Sequence, residues 1–229
     1  MKDVQKFGGI GALLQAGFFA ALLVLDLFVL PGPSTLNEPA KALPFAATSP
    51  LLSILSLIYV PLFFGIILVA LALYDRLQAG SPGLVRFATV AGLIGAVLFV
   101  ARGMIGFTGL AQLTHEYVQN PAGAGGAYLA LRFIVSGLNV AAVFAVGWTI
   151  LLASWAALRT GKLSRALNYV GLLAGAVGIL SSVIPYGGLI GSGITLVWSV
   201  WLAVMLLVPQ LERIEAAVPA GVRSAAGKQ

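Results

Sequence analysis

Asp26, Arg102 and Arg132 are the charged residues that fall inside, or at the edge of, long apolar runs of this chain. A charge within a bilayer is expensive, so each is a candidate for function. Asn139 and Tyr186 lie at similar depth, and Glu116 stands in the connection beside Arg102 and Arg132. Two guanidinium groups in such company could hold a carboxylate or a phosphate, because arginine's planar fork matches both bidentately. The competing reading is structural. Asp26 would pair with Arg102 or with Arg132, avoiding the cost of a lone buried charge, and Arg132 would extend towards the head groups. Asp26 sits roughly 6 Å and Arg102 roughly 12 Å from the same face of the bilayer, counting about 1.5 Å per helical residue.

Other chemistries lack their residues. The chain has no cysteine and one histidine, His115, which removes disulfides, thiolate metal sites and any ligand set needing two histidines. Thr114-His115-Glu116 has no second histidine four residues on, as a zinc-protease helix would. Ser181 and Ser182 have no evident base, and no lysine lies mid-span for a Schiff base. The expectation is a protein that is not an enzyme, with no catalytic residue, no metal and no cofactor.

The elements that must position these groups follow from hydropathy. Of the 229 residues, 60% are hydrophobic and 9% charged, against roughly 45–50% and about 25% in soluble domains. With a mean hydropathy of +1.03, the chain reads as an integral membrane protein whose first partner is the lipid bilayer. A spanning helix needs about 20 apolar residues. Six such runs occur, at 8–30, 51–74, 87–110, 131–156, 169–190 and 192–209, followed by a tail at 211–229. The fold class predicted is all-α, a polytopic bundle of six transmembrane helices in one domain.

Basic residues orient it. With the N-terminus cytoplasmic, Lys2, Lys6, Arg76, Arg86, Arg159, Lys162, Arg165, Arg213, Arg223 and Lys228 lie inside, and Lys41 alone lies in an outer connection. That bias places both termini in the cytoplasm. The net charge of +6 is then topological. No basic soluble face with stacking aromatics is present, so nucleic acid is not expected as a partner. Tyr74, Trp155, Tyr169 and Tyr128 fall near span ends as an aromatic belt would.

Two outer connections are expected to be irregular: 31–50, with five prolines, as an extended rigid cap, and 114–127, rich in Gly and Ala, as a mobile loop. Pro61 and Pro185 are expected to kink their helices or mark their ends. Gly103 and Gly106 in the third run, and Gly171, Gly175 and Gly178 in the fifth, are packing faces that admit another backbone. They serve either the bundle itself or an interface with a second copy or a membrane-protein partner.

The arginine opening the fourth run with Gly147-Trp148 later in it, then Thr160-Gly161-Lys162-Leu163-Ser164-Arg165 followed by Gly171-Leu172, resembles a large bacterial family of small multi-helix membrane proteins classed as a domain of unknown function. The resemblance implies a helical fold in a bacterial cytoplasmic membrane and carries no activity or cofactor. The function expected is therefore non-enzymatic. The protein would bind a small ligand in an outward-facing polar pocket, or serve as an accessory subunit of a membrane complex. The alternative is a small secondary transporter or channel for an anionic solute.

Overall fold

The computed structural model describes residues 2–29, 36–181 and 187–217 of the chain. Among them there is no strand. Helix α1 spans Lys2–Val24 and runs on through a π-helical turn, Leu25–Val29. It is followed by α2 (Pro39–Thr48), α3 (Leu51–Ser56), α4 (Tyr59–Leu77), α5 (Pro82–Gln119), α6 (Pro121–Thr160), α7 (Arg165–Leu180) and α8 (Gly187–Ala217). Five stretches are long and apolar enough to cross a membrane: Asp3–Val24, Leu51–Leu77, Pro82–Gln119, Pro121–Thr160 and Ile190–Val208. The remaining expected span, 169–190, meets α7, whose 16 residues, Arg165–Leu180, make about 24 Å of helix against a hydrocarbon core of about 30 Å. Residues 182–186, Pro185 and Tyr186 included, lie outside the described residues.

The six long helices form a ring. Each packs on its neighbours in sequence, α1 on α4, α4 on α5, and so on to α8, which closes back on α1. Gly8 and Gly9 lie against Leu206 and Leu207, so both termini are at one end of the ring, the terminus end. Large apolar side chains are buried on the inner faces, among them Leu62, Leu77, Leu167, Leu202 and Leu206. Others are as freely exposed on the outer faces, including Phe87 at 67% and Phe133 at 75%. A helix apolar all round suits a protein interior on one side and lipid on the other.

The ring is closed at the terminus end by glycine contacts. Gly11 and Gly65 put α1 and α4 backbone to backbone: a Cβ on Gly65 would lie 2.9 Å from the Gly11 carbonyl oxygen. A Cβ on Gly175 of α7 would lie 2.6 Å from Leu151 N and 2.7 Å from Gly147 O of α6. Gly171 is wedged against Ser154 and Trp198, of α6 and α8. The fifth-run glycines are thus consumed within the chain. At the same end Arg76 Nη2 donates to Lys162 O at 3.1 Å and Lys162 Nζ returns a bond to Arg76 O at 2.8 Å, tying the α4–α5 turn to the α6–α7 turn. Gly161 ends α6 in the left-handed region at φ 63, and Ser164 caps α7 by accepting from Leu167 N at 3.3 Å.

Both connections expected to be irregular are largely helical over their described residues. In 31–50, Pro39 stands in the first turn of α2, where no N–H is needed. Ala42, Leu43 and Ala46 bury one face of that helix, which offsets the ladder bond lost at Pro44. In 114–127, α5 continues to Gln119 and α6 starts at Pro121, leaving only Asn120 between them. The Asn120 side chain accepts from Gly123 N at 3.1 Å and caps α6. The hairpin is held by a small satellite core of Ala42, Leu43, Leu113, Ala124 and Tyr128. Tyr128 is therefore buried rather than part of a lipid-facing belt. With 38 and 40 residues, α5 and α6 run about 57 and 60 Å, well beyond the hydrocarbon at the far end. Polar Gln112, Thr114, His115, Glu116 and Gln119 fall on that extension.

Close packing makes a sharp prediction. Gly175→Val should destabilise the protein by about 1–3 kcal/mol, because the added atoms meet the α6 backbone. Gly178→Ala should be neutral or slightly stabilising, since a Cβ there meets Gly147 Cα at an ordinary 3.4 Å. Thermal unfolding followed by tryptophan fluorescence compares the two; equal effects would remove the α6–α7 seam from the account.

Candidate functional site

Inside the ring the helices enclose a cavity of about 560 Å³, with the seam glycines Gly147 and Gly178 in its wall. All six ring helices and α3 contribute to its wall. Gln15, Ile66, Ile150, Ala174 and Thr195 line its floor, towards the terminus end. Leu36, Leu52, Leu110, Tyr128 and Arg132 line the far end. From Tyr128 to Ile150 along α6 is about 33 Å at 1.5 Å per residue, so the lining extends along much of the ring. Ser199 Oγ reaches Gln15 Oε1 at 3.5 Å just below the floor.

Arg102 stands on this wall because of a break in the second span. Pro61 lacks an N–H and its ring clashes with the carbonyl four residues back, and the helix is interrupted at Leu57–Ile58, between α3 and α4. The broken segment seats on α5 where side chains are missing. A Cβ on Gly103 would lie 2.7 Å from Ser56 O and 2.9 Å from Tyr59 Cβ, and one on Gly106 would lie 2.9 Å from Ser56 Oγ. This seating brings the Tyr59 ring beneath Arg102, whose Cζ is 3.8 Å from the ring centroid. Tyr59 in turn stacks on Phe99 at 5.7 Å and meets the edge of Phe18 at 5.1 Å. A guanidinium over an aromatic face is stabilised by the ring quadrupole, the more so away from water.

Arg132 is held differently. Its Nη1 donates to Leu36 O at 2.6 Å and its Nη2 to Asn37 Oδ1 at 2.7 Å, while Tyr128 Oη donates to the same Leu36 carbonyl at 2.8 Å. The two residues, one helical turn apart, fix the chain just before α2 over the end of the cavity. Leu131 lies opposite Gly109, so Arg132 is about 9 Å farther along the ring axis than Arg102.

Of the residues singled out from sequence, Arg102, Arg132 and Asn139 line one cavity. Glu116 does not join them: it is exposed on the α5 extension. The Asp26 side chain and Tyr186 fall outside the described part of the structure, and the expected pairing of Asp26 with them. Gly103 and Gly106 serve the seat of the break, within the chain. Three further residues take part. Tyr59 was signalled only by its place two residues before Pro61, Gln15 by being the amide in the first apolar run, and Leu36 by nothing local, since it contributes a carbonyl. Among the described lining residues there are two guanidinium groups and no carboxylate, and no described cluster of His, Asp and Glu could hold a metal ion.

The Arg132 bonds predict a measurable release. Arg132→Ala should loosen the segment around Leu36 by about 2 kcal/mol, the usual range for hydrogen bonds to a charged donor. Trypsin cleavage after Lys41 in the detergent-solubilised protein should then quicken, and Arg132→Lys should restore only part of the protection. An unchanged cleavage rate would show that these bonds do not hold the segment.

No curated protein and no solved structure matches the chain. A family model does, described as "Domain of unknown function (DUF4386)" and covering residues 12–213. Nearly the whole helical ring falls within that match, and the chain belongs to this family of uncharacterised proteins.

Proposed function

We propose that this protein binds a small, negatively charged ligand in the central cavity and performs no chemistry on it. The observation that carries the reading is a cavity of about 560 Å³, within the range of small-molecule sites, whose wall holds two guanidinium groups, of Arg102 and Arg132. Arginine suits carboxylates and phosphates, and a partly dehydrated cavity strengthens that attraction.

The far end, with Arg132 and the α2 cap, faces outward in this reading, and both termini lie in the cytoplasm. Support comes from the terminus end, where Lys6, Arg76, Arg86, Arg159, Lys162 and Arg165 cluster, against Lys41 on α2. The membrane is then a bacterial cytoplasmic membrane. The length of the cavity, about 33 Å, also suits passage of an anion, a second reading in which the glycine-packed end opens.

Two experiments test this. The chain has no cysteine, so Ala47→Cys and Ala79→Cys provide single labels at opposite ends. In intact cells a membrane-impermeant thiol reagent should modify Ala47→Cys and spare Ala79→Cys; the reverse pattern inverts the topology. Native mass spectrometry of the protein extracted gently from its own membranes should show the chain carrying one small retained molecule. Stoichiometric partner subunits without such a molecule would move the assignment to an accessory subunit. Exchange of the retained molecule across proteoliposomes would move it to transport.

A further inference from the structure

We infer that the floor of the cavity is a subsite for an uncharged oxygen acceptor of the ligand, such as a ketone or amide carbonyl, received by the Gln15 amide and the Thr195 hydroxyl. This rests on the ligand-binding reading above and adds a second, neutral point of recognition that is independent of either arginine. Gln15 and Thr195 are only 3% and 7% exposed, yet both line the cavity. Gly65 makes room for the first, since a Cβ there would lie 3.2 Å from Gln15 Cγ. Behind the floor, the fully buried Ser199 donates to Gln15 Oε1 at 3.5 Å. That contact takes the carbonyl end of the amide and leaves the two protons of Nε2 to be placed. Thr195 stands one helical turn from Ser199, on the same face of α8. Among the described residues nothing accepts from Gln15 Nε2, and the Thr195 hydroxyl has no partner.

Other hydroxyls of the same wall are satisfied locally. Ser56 donates to Leu52 O at 3.1 Å and Ser181 to Gly178 O at 2.7 Å, each within its own chain segment. A hydroxyl in a membrane helix can always turn back in that way, and Thr195 does not. A buried donor without an acceptor costs free energy. Leucine at 15 and valine at 195 would fill the same space without that cost. A ligand oxygen placed between the two donors removes it. The surroundings decide the class of that oxygen. Ile66, Ile150 and Ala174 complete the floor, and none of these five residues is titratable. A carboxylate there would be a charge with no ionic partner on the floor, the costly case inside a membrane. A neutral carbonyl takes the same hydrogen bonds without that penalty, and its apolar substituents lie against the isoleucines.

The test uses the full chain in a non-ionic detergent, with fluorine NMR titrations referenced to empty micelles. The probes are para-fluoroacetophenone, its hydrocarbon isostere para-fluoro-α-methylstyrene, and para-fluorobenzoate. The ketone should bind about fivefold more tightly than the alkene, the usual size of one neutral hydrogen bond. Gln15→Leu should bring that ratio below about twofold while the alkene binds as before. Thr195→Val, which exchanges a hydroxyl for a methyl group, should lower the ratio as well and gives a second reading should the first variant not fold. Ketone and alkene binding alike, or a preference that neither variant lowers, would overturn the subsite and leave the cavity reading standing. Benzoate weakened by Gln15→Leu as much as the ketone would overturn the uncharged class. The ketone bound with this selectivity and benzoate not bound would uphold the subsite and overturn the anionic ligand. Binding of no probe would overturn the cavity reading together with this one.

Discussion

Backbone approach at glycine is the constraint on which this structure depends. Helices in lipid gain little from the hydrophobic effect when they associate, since lipid tails are as apolar as their own side chains. Association must come from close contact, and here glycines supply it, with Gly103, Gly106 and Gly109 extending it towards the far end. Gly11 on Gly65, Gly95 on Val146 and Gly175 on Gly147 join successive helices within the same half of the ring. The cavity runs alongside these seams, and Gly106, Gly147 and Gly178 are part of its lining. Packing and cavity are thus one arrangement, because the glycines that join the outer contacts of the ring also leave its inner wall without side chains.

The far half adds a second means of cohesion. There the chain leaves the hydrocarbon, and a charged hydrogen bond becomes tolerable to build. Arg132 and Tyr128 hold the Leu36 carbonyl, and α2 tucks Leu43 into the small core with Leu113 and Ala124. The exposed Lys41–Glu38 pair, 2.7 Å apart, adds little, as surface ion pairs usually do. Between the two halves stands the break at Leu57–Ile58. It needs both Pro61 to interrupt the helix and Gly103 with Gly106 to receive it, and it is what lays the Tyr59 ring under Arg102.

Hydropathy alone made the all-α membrane fold legible, since residue type decides which segments enter lipid. The glycine faces were also legible as faces. Their partners were not, because a small residue says that something approaches closely without saying what. The two connections depart from expectation for a common reason. Proline and glycine are local signals for irregular chain, yet Pro39 and Pro121 sit in first turns, where proline favours a helix. The decision between those outcomes lies in tertiary burial, in Leu43 and Tyr128 finding a shared core, and no local window contains it. For the site, Arg102, Arg132 and Asn139 stood out as costly or polar groups in apolar runs. Tyr59 did not, because an aromatic in a membrane helix is ordinary until a charge is found on its face.

The two arginines then have separable roles in the proposed reading. Arg132 spends its donors on the chain over the end of the cavity, so its contribution is to shape. Arg102, about 9 Å deeper, stands on the cavity wall with its flat face against Tyr59, and its contribution is to charge. A cation in hydrocarbon is costly wherever it stands, and a leucine at either position would pack without that cost. The aromatic face reduces the cost at Arg102, and it does so without using the in-plane N–H donors, because a ring beneath a guanidinium engages its face while hydrogen bonds engage its edge. The edge is the part that recognises a carboxylate. Stacking on Tyr59 therefore fixes the plane of the group as well as stabilising it, which a point charge such as lysine at the same position could not do.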